Sequence, residues 1–134
     1  MPVDVANDGP VRIITNNRPE ARNAVSPEQA DALKAAFDAF EADDSARVAV
    51  FTGADGAFCG GWDLKYAATL TDPADFDRDL RQNLAFPEDD TSGPRGPMGP
   101  SRMEFSKPVI AAVEGPAVAG GMELAMLALS LIHI

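Results

Sequence analysis

The feature that most constrains this chain is a pair of glycine turns, each standing where an apolar run ends and a helical pattern begins. The first, Gly53-Ala54-Asp55-Gly56-Ala57-Phe58-Cys59-Gly60-Gly61-Trp62-Asp63-Leu64, follows Val48-Ala49-Val50-Phe51. The second, Gly115 to Gly121, follows Pro108-Val109-Ile110-Ala111-Ala112-Val113 and opens into Met122-Glu123-Leu124-Ala125. A buried strand running through a glycine turn into a helix is the repeating unit of an α/β fold. Paired glycines let backbone N–H groups turn toward a ligand, and a helix start adds N–H groups with no partner and the positive end of the helix dipole. One such turn is accounted for by a tight connection alone. Two that aim donors at one point make an oxyanion hole.

The elements around the turns are readable. Val11, Ile13 and Ile14 predict a strand ending at the polar breaker Asn16-Asn17-Arg18-Pro19. Ser26, Pro27 and Gln29 stand at Ncap, N1 and N3 of a capping box, followed by Ala30, Leu33, Ala36, Phe37 and Phe40 at helical spacing, so a helix is expected to end near Asp43. Asp72-Pro73 is a weaker helix start. Pro87 to Pro100 is rich in Pro, Gly and acid, with triplets resembling collagen that are far too few for a triple helix, and is expected to be a mobile loop.

Composition narrows the function. With 21 acidic against 11 basic residues the net charge is −10, which repels a phosphate backbone, so nucleic-acid binding is not expected. A single cysteine, Cys59, allows no internal disulfide and reads as a small buried hydrophobe. The N-terminus lacks the pattern of a signal peptide, and the longest apolar stretch, Leu124 to Ile134, falls short of the roughly 20 residues that span a bilayer. A cytoplasmic protein without a membrane segment is expected.

Three segments in order, Asn17-Arg18-Pro19-Glu20-Ala21-Arg22-Asn23-Ala24, Ala57 to Leu64, and Lys107 to Ala117 with Gly120-Gly121-Met122-Glu123, resemble successive signatures of the enoyl-CoA hydratase/isomerase (crotonase) family. The resemblance runs from Val11 to Ala128 and implies an α/β, crotonase-like spiral of ββα units, here truncated. It implies that the amides of Trp62 and Gly120 hold the thioester oxygen of an acyl-CoA. Arg22, Ala24 and Gly60 match positions along the CoA moiety, and Asp63 and Leu64 stand beside them in the second signature. Asp63 reads equally well as a helix cap. Glu123 matches a catalytic carboxylate, a general base that activates water, although a first-turn glutamate also complements a helix dipole. Arg22 and Lys65 are candidates to meet CoA phosphates, or are solvated charges. The family implies no cofactor beyond the CoA of the substrate and no metal, and homotrimers or dimers of trimers in the full-length parent. Hydration of a 2,3-enoyl thioester is the default reaction. Isomerisation, thioester hydrolysis or a non-catalytic acyl-CoA-binding module are the alternatives.

Two residues depart from the family pattern: Trp62 replaces a small residue, so its indole is expected to wall the acyl pocket, and Ala119 replaces a third glycine. The match stops near Ala128, dividing the chain into a crotonase-like part, 1–128, and a tail, 129–134, expected to be non-native. Leu129-Ser130-Leu131-Ile132-His133-Ile134 is what one frame of a transposase adaptor used in sequencing libraries encodes. On this reading His133 has no chemical role, and the chain alone is expected to be poorly soluble and inactive.

Overall fold

The computed structural model describes residues 1–85 and 95–133. Five strands form one sheet in the order β1 (Val3–Asp8), β2 (Val11–Asn16), β3 (Val48–Gly53), β4 (Val109–Val113) and β5 (Ser130–His133). β1 and β2 are an antiparallel hairpin, and the other neighbours are parallel. Parallel neighbours need a crossover. Helix α1 (Pro27–Ala42) makes the first of these, and α4 (Gly120–Leu127) joins β4 to β5.

α1 forms where the sequence places it. The Ser26 side chain accepts a bond from the Gln29 amide at 3.3 Å, Pro27 occupies the first turn, and Asp43 is the C-cap. The capping box is only half made. Gln29 does not reach back to Ser26 but donates to Asn16 Oδ1 and to the Pro2 carbonyl, so its side chain is spent on the sheet. The inner face of α1 buries Ala30, Leu33, Phe37 and Phe40. Phe37 meets Phe51 of β3 edge-on at 5.2 Å, and Phe51 meets Phe58 at 5.1 Å, so the aromatic core runs from α1 through the sheet into the first glycine turn. Each such ring contributes roughly 1.5–3 kcal/mol by leaving water. The far end of α1 is closed by Lys107, whose ammonium donates to the carbonyls of Phe40, Asp43 and Ala46 at 2.5, 2.8 and 3.0 Å.

Two short helices follow the first turn, α2 (Leu64–Ala67) and α3 (Pro73–Asp79), the latter capped by Asp72 and continuing as a π-helical turn over Leu80–Leu84. The expected mobile loop, Pro87 to Pro100, lies partly outside the described residues. Its described end is packed. Met98 and Pro100 are buried, and the Arg95 guanidinium bonds to Asp31, to the Pro27 carbonyl at 2.8 Å and to Asn83 at 3.0 Å. Composition suggested mobility there, whereas close packing against α1 and α4 holds Gly96 to Pro100 in place. Residues 130–133 pair with β4, and all four are exposed. No helix among the described residues is long and apolar enough to cross a membrane.

Candidate active site

The two glycine turns lie against each other. Cys59 pairs with the second turn, its N–H donating to the Pro116 carbonyl at 3.0 Å and its carbonyl accepting from Val118 at 3.1 Å. Gly60 turns the other way and donates to the Arg22 carbonyl at 2.9 Å. The close approach explains the glycines. A Cβ on Gly121 would stand 2.2 Å from the Cys59 carbonyl oxygen, and one on Gly61, whose φ is +89°, would stand 3.0 Å from that of Val118.

The orientation of the two amides named from the sequence follows from their peptide planes. The Gly61 carbonyl accepts from Val25 at 2.8 Å, so across the same trans peptide the Trp62 N–H points away from Val25. The Ala119 carbonyl accepts from Met122 at 3.0 Å and Glu123 at 3.3 Å, along α4, so the Gly120 N–H points out of the helix start. A Cβ on Gly61 would stand 3.6 Å from the Gly120 nitrogen, which measures how near the turns come. Ala119, between them, has φ 48° and ψ −123°, a conformation suited to glycine.

A groove of about 340 Å³ opens beside the first turn and is lined by Arg22, Ala24, Gly60, Trp62, Asp63 and Leu64 among others. All the residues the sequence pointed to along CoA therefore share one wall. Arg22 and Leu64 are exposed on it. The amide of Ala24 is engaged with the Ala21 carbonyl at 3.1 Å and that of Gly60 with Arg22, so these two residues have carbonyl oxygens rather than N–H donors to offer a ligand, the one on Ala24 already accepting one bond from the Arg18 guanidinium at 3.1 Å. Asp63 is different in kind. Its carboxylate is 2.6 Å from the Arg18 guanidinium and caps α2 by accepting from the Lys65 and Tyr66 amides at 2.9 and 3.2 Å. Burial pushes its pKa up, but the bond and charge of Arg18 and the two amides outweigh that and hold it below the ordinary carboxylate value. It orders the turn. Glu123 lies one turn into α4, exposed to solvent and outside the groove.

Trp62 is half-buried and meets the Tyr66 ring edge-on at 6.2 Å, while the Tyr66 hydroxyl is bonded to Asp79. The indole is thus backed by a polar anchor on α3. Cys59 is fully buried, and burial raises its thiol to about 11, which suits a packing residue. Among the described residues no group of three or more His, Cys, Asp or Glu is placed to hold a metal ion.

Sequence reasoning missed Asn23, Arg18 and Met98. Asn23 is fully buried with φ 56°, accepts from the Arg18 amide at 2.7 Å, and donates to the Ala54 and Ala57 carbonyls at 2.8 and 2.7 Å. It staples the Arg22–Ala24 loop to the first glycine turn. A polar residue between a 3₁₀ turn and a helix carried no periodic signal that would mark it as buried.

Parallel strands of an α/β sheet thus feed two apposed glycine turns, with a groove of ligand size alongside. The model for the enoyl-CoA hydratase/isomerase family matches residues 7–89, and the chain belongs to that family. It is 41% identical over 127 residues to the enoyl-CoA hydratase EchA19 of Mycobacterium tuberculosis, covering 90% of this chain and 41% of that protein. It is 40% identical over 127 residues to a carnitinyl-CoA dehydratase of Salmonella arizonae, covering 92% and 42% of the two chains. The crystal structure of an enoyl-CoA hydratase/isomerase from Xanthobacter autotrophicus Py2 superimposes with a TM-score of 0.78 at 32% identity, covering 99% of this chain and 46% of that one. The chain thus spans less than half the length of these relatives.

Proposed function

We propose that this chain supplies the oxyanion hole and CoA groove of an enzyme that adds water to 2,3-enoyl-CoA thioesters. The observation that carries the reading is the pair of peptide planes that turn the Trp62 and Gly120 N–H groups out of their own turns at the point where those turns touch. Two donors on one thioester oxygen draw charge from the β-carbon and stabilise the enolate that forms when water adds, an effect of about 3–4 kcal/mol per donor in comparable sites. Glu123 is the base that takes the proton of that water. The carbonyls of Ala24 and Gly60 receive the adenine amino group, and Arg22 with Lys65 faces the phosphates. CoA is part of the substrate, with no further cofactor. The relatives that carry hydratase or dehydratase names support water addition or removal over the other reactions of the family. The functional protein is a cytoplasmic homo-oligomer of trimeric type.

The test is hydration of crotonyl-CoA by the protein at the length of its relatives. Glu123→Gln is expected to lower kcat by about 10²- to 10⁴-fold with thioester affinity kept. Turnover undiminished by that change would remove Glu123 from the mechanism, and a site that binds acyl-CoA but never turns over would make it a binding module.

A further inference from the structure

Met98 occupies a place that neither the sequence signatures nor the oxyanion-hole geometry assigns. It is 3% exposed, in the turn that joins Gly96 to the 3₁₀ helix Pro100–Arg102, and its amide donates to Ser101 Oγ at 3.3 Å. The turn is wedged against α1: a Cβ on Gly99, with φ +85°, would stand 2.6 Å from the Ala30 carbonyl and 3.1 Å from Leu33 Cβ. On its other side the Met98 side chain lies on the α-carbon of Gly120. A Cβ there would stand 2.6, 2.9 and 3.0 Å from Met98 Sδ, Cε and Cγ. The turn that carries Met98 and Gly99 therefore links the body of α1 to the first residue of α4.

That contact matters because of Ala119. A non-glycine residue at φ 48°, ψ −123° is strained, and such strain persists only where the surroundings leave no room to relax. Relaxing Ala119 rotates the peptide it shares with Gly120, the plane that carries the Gly120 N–H. Gly61 approaches that peptide at its Ala119 end, where a Cβ on Gly61 would stand 3.3 Å from Ala119 Cβ, and Met98 packs on the Gly120 end. We propose that Met98 is a positioning residue for the oxyanion hole, whose thioether holds the Gly120 amide in its outward orientation against the strain stored at Ala119. The inference rests on the acyl-CoA reading above for its functional meaning, and on packing alone for its structural part.

The experiment uses the protein at the length of its relatives with acetyl-CoA labelled with ¹³C at the thioester carbonyl, read by difference infrared spectroscopy, together with the Gly120 amide resonance in ¹H–¹⁵N spectra. Binding to the unsubstituted chain is expected to lower the carbonyl stretching frequency. Met98→Ala is expected to return the band at least halfway to its free position and to move the Gly120 resonance, with acetyl-CoA affinity changed less than about threefold, since the groove does not include Met98. Met98→Leu, which keeps the bulk, is expected to retain the shift. Adding Ala119→Gly to Met98→Ala is expected to restore both signals, because glycine holds that conformation without a clamp. A general packing role for Met98 would not be repaired at Ala119. Signals unmoved in Met98→Ala, or moved and not restored by Ala119→Gly, overturn the proposal. No bound acetyl-CoA at all with the unsubstituted protein sinks the acyl-CoA reading instead, and the Gly120 resonance still decides whether Met98 positions that amide.

Discussion

At the scale of single residues, the first signature works through one buried amide group. Asn23 reaches the Arg18 amide and two carbonyls of the facing turn, and its own carbonyl accepts from Asn16 at 2.8 Å. Asn23→Ala leaves these partners unpaired in a dry site, so a loss of about 2–4 kcal/mol is expected in urea unfolding, where an exposed asparagine would register a few tenths. A loss below about 1 kcal/mol would mean that water replaces it. Cys59 gives a second test. Its thiol stands at about 11 in the folded chain against 9.0 for the free group, because burial penalises the thiolate. The raised value makes the thiol's contribution to stability complete below pH 9 and lost as pH rises from there through 11. Native chain is expected to resist iodoacetamide at pH 8 and to react fully in denaturant. Fast labelling of the native chain would place the thiol near water.

At the scale of elements, the sequence revealed those parts whose burial is periodic along the chain. The spacing of Leu33, Phe37 and Phe40 marks α1, and the apolar runs of β3 and β4 mark strands that lie inside a parallel sheet. β1 escaped notice because only Val3 of its six residues is buried; it exists by pairing with β2, a contact outside its own composition. The turn around Met98 escaped for the opposite reason. Proline and glycine there signal an irregular path, but only the packed structure reveals that Gly99 is needed for close approach to α1 and that Met98 faces Gly120. The positions of Trp62 and Gly120 were legible as motif; their orientation became so only with the peptide planes. Lys107 belongs to this scale as well. It was read as the opening of a strand signature and acts as a staple on another element, the carbonyl end of α1. Lys107→Met keeps the aliphatic stem and removes three charge-assisted bonds, so about 1–3 kcal/mol of stability is expected to go, with the α-helical circular dichroism fraying before the main transition. A sharp single transition at unchanged midpoint would show that water caps the helix equally well.

At the scale of the whole molecule, the sheet has two unlike edges. β1 presents Asp4, Asn7 and Asp8 to solvent, and charge on an edge discourages pairing with another chain. β5 presents Leu131 and Ile132, 48% and 53% exposed, and beside them Leu129 is 80%, Met126 71% and Met122 53% exposed. An apolar strand at a parallel edge, with exposed apolar side chains on the helix that precedes it, is a template for self-association. The net charge of −10 opposes that association at low ionic strength and is screened over about 8 Å at physiological salt, so the two tendencies separate with salt. Light scattering of the chain is expected to show larger species as salt rises, and Leu131→Lys with Met126→Glu is expected to suppress them with a thermal midpoint changed by no more than a few degrees, because both side chains already stand in water. If the doubly substituted chain associates as readily as the original, the sticky surface lies elsewhere and β5 is an inert edge; if it loses its cooperative melt, Leu131 and Met126 hold the sheet together.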